Sequence, residues 1–486
     1  MTTAIHGLTP HVLWEQFAKI SAIPRPSGNE SRVAEYIIDL AHSKGLEAIQ
    51  DDTGNVIVRK PASPGRERSP GVVLHAHMDM VCEKDGTSKH DFDQDGIRLK
   101  RVENHITADG TTLGADNGIG VAAALAVMLD QSVVHGPMEC LFTVDEEVGF
   151  SGILNLSPGV LRGSVLLNLD TDAEGMFCVG CAGGGDSLIT LPVRLKEAPK
   201  GYVPLLLNLR GLKGGHSGLD IHRGRGNALK VMGRVLLHAS QSHDIRLSSI
   251  TSGAKANVIP REAEALVQVR SWQLRPFRKT LDEIQGILRD EYALKDPGVT
   301  LEISTIGSDT GARVLKRADE GRLVSLLYAI PHGVVSMSAR DPRLVETSSN
   351  LASVRTEDDS ITLLVGHRGS VKTALEDAMM SIMLAGKLAG ATVLNRNRYP
   401  AWRPNFDSAV LSSACDTYRE LFRRDPLVVT THGGLECGVV SDKYPDMDIL
   451  SFGPTVEGVH SPRERVEIGS VQRFWTFLLT LLKNLS

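Results

Sequence analysis

Nowhere in its 486 residues does the chain carry an apolar run approaching the roughly 18 residues of a membrane-spanning helix. The longest candidate, around Ile119–Leu129, is broken by Gly120 and reads as a buried helix. A basic excess is missing too. Lys and Arg number 53 against 58 Asp and Glu, a formal charge of −5. That balance gives no electrostatic reason to expect nucleic acid or an anionic membrane as partner. The N-terminal Met1-Thr2-Thr3-Ala4-Ile5-His6-Gly7 has neither the basic start nor the apolar core of a secretion signal. Cysteine is sparse and scattered (Cys82, Cys140, Cys178, Cys181, Cys415, Cys437), so reduced thiols in a cytoplasmic protein are expected. Cys178 and Cys181 have redox-motif spacing, but no second pair completes a zinc site, and they read as structural.

What the chain does have is an ordinary globular composition, 42% apolar and 23% charged, over a length that suggests two or three domains. It also has a repeated form, an apolar run that ends in a histidine or an acid. Val72-Val73-Leu74 leads to His75-Ala76-His77-Met78-Asp79, and Leu113-Gly114-Ala115 to Asp116. Leu141-Phe142-Thr143-Val144 leads to Asp145-Glu146-Glu147, Val165-Leu166-Leu167-Asn168-Leu169 to Asp170, and Ile449–Gly453 runs on to His460. Strands of a mostly parallel sheet deliver functional groups just beyond their carboxyl ends, so these five ends converge on one crevice.

The periodicity between them supports that sheet. Ser31–Ser43 reads as a helix with Val33, Ile37 and Leu40 on one face and Gly45 as its stop. Residues 45–60 read as strand, turn and strand, and Asn117–Leu129 as a helix. The cluster Ala182-Gly183-Gly184-Gly185 is a hinge candidate. Residues 187–391 hold no acidic strand ends and read as strands with helices near 225–239, 280–293, 317–329 and 371–389. The α/β pattern then returns, ending in a helix near Ser470–Leu485. The predicted fold is α/β: a discontinuous catalytic domain, residues 1–186 and 392–486, has a mostly parallel central sheet flanked by helices. Residues 187–391 form an inserted α+β domain.

Each signal has a plain structural alternative. His77 and Asp79, two apart at a strand end, point the same way and suit a structural pair, or a ligand with the carboxylate that orients it. Asp116 opening a helix suits an N-cap. The adjacent carboxylates Glu146 and Glu147 are harder to explain away, because burial at a sheet edge opposes their ionisation unless a cation compensates. His460 lies in a loop with no apolar face to bury. Taken together, the set points to metal, and zinc suits mixed nitrogen and carboxylate ligands. Two zinc ions about 3.5–4 Å apart lower the pKa of a shared water towards ~7. A neighbouring carboxylate can then carry its proton to a leaving amine. Amide hydrolysis is the chemistry that needs these parts.

At His77-Met78-Asp79, Gly114-Ala115-Asp116-Asn117-Gly118, Asp145-Glu146-Glu147 and Asn168-Leu169-Asp170 the chain resembles the co-catalytic zinc peptidases that include carnosinases, aminoacylases and succinyl-diaminopimelate desuccinylase. Residues 211–218, 257–263 and 432–438 bring it nearer the dipeptidase members. The resemblance implies two Zn2+ per subunit, with Co2+ or Mn2+ as substitutes. His77 and Asp170 would hold one ion, Glu147 and His460 the other, and Asp116 would bridge. It implies Glu146 as general base, Asp79 as partner of His77, and a cis peptide after Asp116. The family often has Glu at the position of Asp170; Asp there goes with its dipeptidases. The insert would be a lid that also forms a homodimer, with His216 of Gly214-Gly215-His216-Ser217-Gly218 stabilising the oxyanion, and His222 as the fallback. Asn257 and Arg368 are candidates for the substrate carboxylate, and His432 and Glu436 for the pocket lining, with Glu436 receiving a free amine. The expected activity is hydrolysis of unblocked dipeptides, Xaa-His among them. An N-acyl-amino-acid deacylase on the same scaffold is the alternative. A non-catalytic relative is disfavoured, because all seven metal and acid–base positions are filled.

Overall fold

The computed structural model describes residues 3–307, 313–339 and 341–486, which form two compact units. The first comprises residues 3–181, 402–430 and 435–486. Its sheet strands are β1 (Glu47–Gln50), β2 (Val56–Lys60), β3 (Val72–His77), β4 (Met138–Thr143), β5 (Val165–Asn168), β6 (Met176–Cys181), β7 (Leu427–Thr431) and β8 (Asp448–Ser451). They lie in the order β1-β2-β4-β3-β5-β8-β6-β7. The central four, β4-β3-β5-β8, are parallel. β3, β4 and β5 are buried at every residue, as expected of parallel strands covered on both faces.

The long helices of this unit are α1 (His11–Ser21), α2 (Ser31–Ser43), α3 (Ala115–Leu129), α4 (Ala409–Phe422) and α5 (Ile468–Asn484). α3 is apolar all round and buried from Asn117 to Met128, the pattern of a helix enclosed on every side. Its small alanines let it sit close to β3 and α1. The α3 entrance is not regular. Asp116 and Asn117 have non-helical backbone angles, and the peptide bond between them is cis. Asp116 does not serve as a capping residue: its two oxygens face His77 and His460. Gly114 precedes it at φ 68°, where a Cβ would meet Arg25 Nη2 at 2.5 Å and Met80 Sδ at 2.7 Å. Only glycine fits that left-handed, crowded position.

The second unit comprises residues 182–401 and 431–434 where described. These limits differ from the expected 187–391. Strands Gly183–Pro192 and Thr392–Tyr399 pair with each other, and the former pairs with Ser360–Gly369, so both belong to this unit's sheet. The hinge candidate Ala182-Gly183-Gly184-Gly185 begins where the first unit gives way to the second, and its three glycines open a strand. Gly183, Gly184 and Gly185 pair with Ser360–Gly369, Gly184 pairs also with Tyr399, and a Cβ at Gly184 would lie 2.5 Å from the Tyr399 hydroxyl. Close approach, not freedom, calls for glycine there. The sheet is nine-stranded and antiparallel, and Ser360–Gly369 alternates buried and half-buried residues along its length. Helices Ala228–Ser242, Leu274–Tyr292, Arg317–Ala329 and Lys372–Leu388 supply the rest of this unit's core. No helix of the described residues is long and apolar enough to cross a membrane.

A buried imidazole sits inside this second sheet. His367 is 3% exposed, between Ser187 Oγ (3.0 Å from Nε2) and Ser349 Oγ (3.0 Å from Nδ1). Ser187 donates its own proton to Asn395 Oδ1, so it accepts from Nε2–H, and Nδ1 accepts from Ser349. Burial pushes His367 from 6.5 down to about 4. The unfolded chain therefore binds this proton below pH 6.5, and the folded chain only below about 4. Stability falls as pH drops through that window, by up to ~3 kcal/mol from this residue. In urea denaturation, His367→Asn should make the pH dependence between 4 and 6.5 shallower by about one proton. An unchanged slope would show that His367 already titrates normally in the folded chain.

Candidate metal centre

The carboxyl ends of β3, β4 and β5, the start of α3 and the loop of His460 bring seven polar residues of the first unit together. His77 ends β3 and is 1% exposed. Its Nε2 lies 3.2 Å from Asp116 Oδ1 and 3.5 Å from Asp170 Oδ1, and its Nδ1 lies 3.2 Å from Asp79 Oδ1. His460 Nε2 lies 3.3 Å from the other Asp116 oxygen and 3.0 Å from Glu147 Oε2. Potential donor atoms fall within 4.8 Å of one another in three groups: His77, Asp116 and Asp170; Asp116, Glu147 and His460; and His77, Glu146 and Glu147. The first two share Asp116, which faces one histidine with each oxygen.

Asp79 organises the turn after β4. Fully buried, it accepts from Ser27 Oγ (2.7 Å) and from the backbone amides of Glu146 (3.1 Å) and Glu147 (3.2 Å), besides facing His77. One carboxylate thus sets the orientation of His77 and of both neighbouring glutamates. Asp145 supplies the turn itself, with φ 56° and its side chain accepting from Ser151 Oγ at 2.6 Å. Its backbone amide donates to Glu30 Oε1 at 3.1 Å.

The electrostatics are those of a cation site. Burial raises the Glu146 carboxyl well above its usual range, and Glu147, Asp170 and Glu436 add to the effect. Glu147 is raised by burial and by Asp116, and Asp170 is pushed up to about 6 by burial. Asp116 moves the other way, because hydrogen bonds from His460 and His77 overcome its burial. His460 rises to about 10 through its bonds to Asp116 and Glu147. Burial opposes charge on His77, but Asp170, Asp116 and Asp79 outweigh it and hold its pKa well above 6.5. Two imidazoles facing four crowded carboxylates leave excess negative charge, and Glu147 Oε1 is buried without a hydrogen-bond partner. Both observations fit bound divalent cations.

Glu436 is buried close to the acid cluster and adds to the raised carboxyls of Glu146 and Asp170. It is 2% exposed, and its Oε2 binds His75 Nε2 (3.0 Å) and Thr143 Oγ1 (2.6 Å) beneath the strand ends, while Oε1 has no partner. The remaining candidates lie in the second unit. Gly218 N donates to His216 Nδ1 at 3.2 Å, and the Asn257 carbonyl accepts from Ser217 N at 2.8 Å. Arg368 donates to Ser217 Oγ at 3.4 Å and to the Tyr399 hydroxyl at 3.2 Å. His432, 6% exposed, faces Ser348 Oγ at 2.8 Å. Burial, Arg368 and His222 lower it to about 3, so it is a neutral ring in a cationic neighbourhood.

Sequence reasoning missed two buried charges that hold this framework. Arg25 donates to the carbonyls of Met78, Asp79 and Gly114 (2.8, 2.9 and 2.5 Å). Glu464 accepts from the amides of residues 113–116. The four-residue spacing of Glu464 from His460 was the available signal.

Comparison with known proteins agrees with this geometry. The chain is 40% identical over 478 residues to the cytosol non-specific dipeptidase of Escherichia coli strain K12, covering 98% of each chain. It matches the crystal structure of aminoacylhistidine dipeptidase from Vibrio alginolyticus with a TM-score of 0.84 and 40% identity, covering 99% of this chain and 98% of that one. Human carnosine dipeptidase 1 has the same fold at a TM-score of 0.51 and 12% identity, over 97% and 96% of the two chains. A family model also matches residues 73–484. The chain is a hydrolase of peptide bonds and belongs to peptidase family M20/M25/M40.

Proposed function

We propose that this peptidase hydrolyses unblocked dipeptides, Xaa-His substrates among them, with two zinc ions held by the donors at the strand ends. The observation that carries the reading is the pair of donor groups sharing Asp116. His77 and Asp170 would hold one ion and Glu147 and His460 the other, with Asp116 a donor common to both groups. The metal assignment follows from the donor chemistry, two imidazoles with carboxylates. Both relatives at 40% identity are named dipeptidases, one of them cytosolic, and a cytoplasmic location belongs to the same reading.

When bound, the ions supply Lewis acidity toward the peptide carbonyl and lower the pKa of a water in the site. Glu146 is the general base. It accepts the proton of the attacking water and passes it to the leaving amine, while Asp79 holds its backbone. Arg368 and Asn257 take the substrate carboxylate, with Arg368 presenting its guanidinium fork, and His432 lines that subsite. His216 donates a hydrogen bond to the developing oxyanion. Glu436 is the candidate for the substrate ammonium: its carboxylate is close enough to Glu146 and Asp170 to raise both, and Oε1 is unpartnered. A homodimer formed through the second unit is part of the proposal. Exposed apolar side chains there, Met380, Leu384, Leu388 and Leu394, offer surface for it.

Glu146→Ala should keep both metal ions and lose kcat by about 10²–10⁴-fold, read by metal analysis beside turnover of an Xaa-His dipeptide. Loss of metal, or retained activity, would remove Glu146 from the role. Arg368→Ala should cost ~2–5 kcal/mol in kcat/KM for dipeptides and little for dipeptide amides. If N-acetyl amino acids were cleaved as fast as Xaa-His dipeptides, the deacylase would replace the dipeptidase. Mixing Glu146→Ala with His216→Ala subunits should restore part of the activity if His216 acts in trans. No recovery after verified subunit exchange would confine the site to one chain.

A further inference from the structure

We propose that Glu464 is a positioning residue for the metal centre, locking the loop of His460 to the turn of Asp116. The proposal rests on the metal reading above. Glu464 is 2% exposed, and its carboxylate accepts four consecutive backbone N–H groups. Oε2 binds Leu113 N at 2.7 Å and Gly114 N at 2.9 Å, while Oε1 binds Ala115 N at 2.7 Å and Asp116 N at 3.2 Å. These are the amides of the turn that presents the shared carboxylate. From the other side, Arg25 binds the Gly114 carbonyl of the same turn and the carbonyls of Met78 and Asp79. Glu464 and Arg25 attract one another through the crowded turn, and burial is the largest influence on each.

A buried glutamate that accepts backbone amides could serve stability alone. Two features point further. Glu464 stands four residues after His460, whose side chain is 51% exposed and whose backbone is left-handed at φ 59°. That loop needs an anchor, and Glu464 supplies one, with its own amide bonded to Ser461 O (3.0 Å) and its carbonyl to Thr107 Oγ1 (3.0 Å). Moreover, the two segments it joins each bring a donor of the same group, Asp116 and His460, 3.3 Å apart. Loosening the bond changes the separation of two ligands without removing either.

The test is zinc titration of metal-free protein against a chromophoric chelator, with thermal melting of the same samples. In Glu464→Gln one oxygen can still accept, but the amide NH2 opposes two of the four N–H groups. Zinc affinity should fall about 10–100-fold, the loss seen when an outer partner of a ligand is removed. The dipeptide KM at saturating zinc should change little. Glu139→Gln is the control. Glu139 is also buried and accepts two amides, Arg162 N (2.6 Å) and Gly163 N (2.9 Å), but it lies near the start of β4, away from the donors. It should lower the melting temperature and leave zinc affinity unchanged. The proposal is overturned if Glu464→Gln binds zinc as the wild type does, or if Glu139→Gln weakens zinc equally. Where Glu464→Gln does not fold, Glu464→Asp, which keeps the charge and shortens the reach, is judged by the same two outcomes. Wild-type protein that took up no zinc would instead overturn the metal reading itself.

Discussion

Like charge at short range is the constraint around which the first unit is built. Asp116, Glu146, Glu147 and Asp170 are drawn together with only two imidazoles among their donor groups. Burial denies these carboxylates the water that would otherwise spread their charge. Parallel strands make the crowding hard to avoid, because β3, β4 and β5 end side by side and deliver their next residues to one place. The structure answers with fixed donors. Asp79 is tied down by a hydroxyl and two amides, Glu464 by four amides, and Arg25 clasps three carbonyls between them. Those bonds hold the acids apart in direction, but they do not neutralise them. The remaining charge is what a pair of divalent ions balances.

The second unit meets a different demand, with no comparable acid cluster among its described residues. Its polar set is cationic or neutral: Arg368, His216, His222 and His432, knitted to hydroxyls of Ser217, Ser348 and Tyr399. Such a set has the chemistry to suit an anion, where the acid cluster of the first unit has the chemistry to suit cations. Each chemistry is set in its own core, so a substitution in one leaves the packing of the other alone.

The strand ends were legible because an apolar run stopped by an acid or histidine survives any uncertainty in register. The helix at Ser31–Ser43 was legible for a similar reason, since its apolar face repeats cleanly before Gly45. Other features left weaker traces. Asp116 looks like a helix cap in sequence, and only the backbone angles at Asp116 and Asn117 show that the regular helix starts later. The limits of the second unit were missed because strand pairing across more than 200 residues, as between Ser187 and Asn395, has no local signature. Glu436 stands out by its glycine-rich neighbourhood, but nothing local announces its partners His75 and Thr143, which come from strands far away in the chain. Arg25 and Glu464 were invisible for the same reason, since what they bind is main chain, and main chain is not written in residue types.

The order in which the chain is made adds a last consequence. His77, Asp116, Glu146, Glu147 and Asp170 leave the ribosome early, but His460 and Glu464 are separated from them by the whole second unit. At roughly 5–20 residues per second, that interval is tens of seconds. For all of it the growing chain carries a cluster of acids without the histidine that completes the second donor group or the carboxylate that anchors the Asp116 turn. The donor group of Asp116, Glu147 and His460 can therefore assemble only after the second unit has been made.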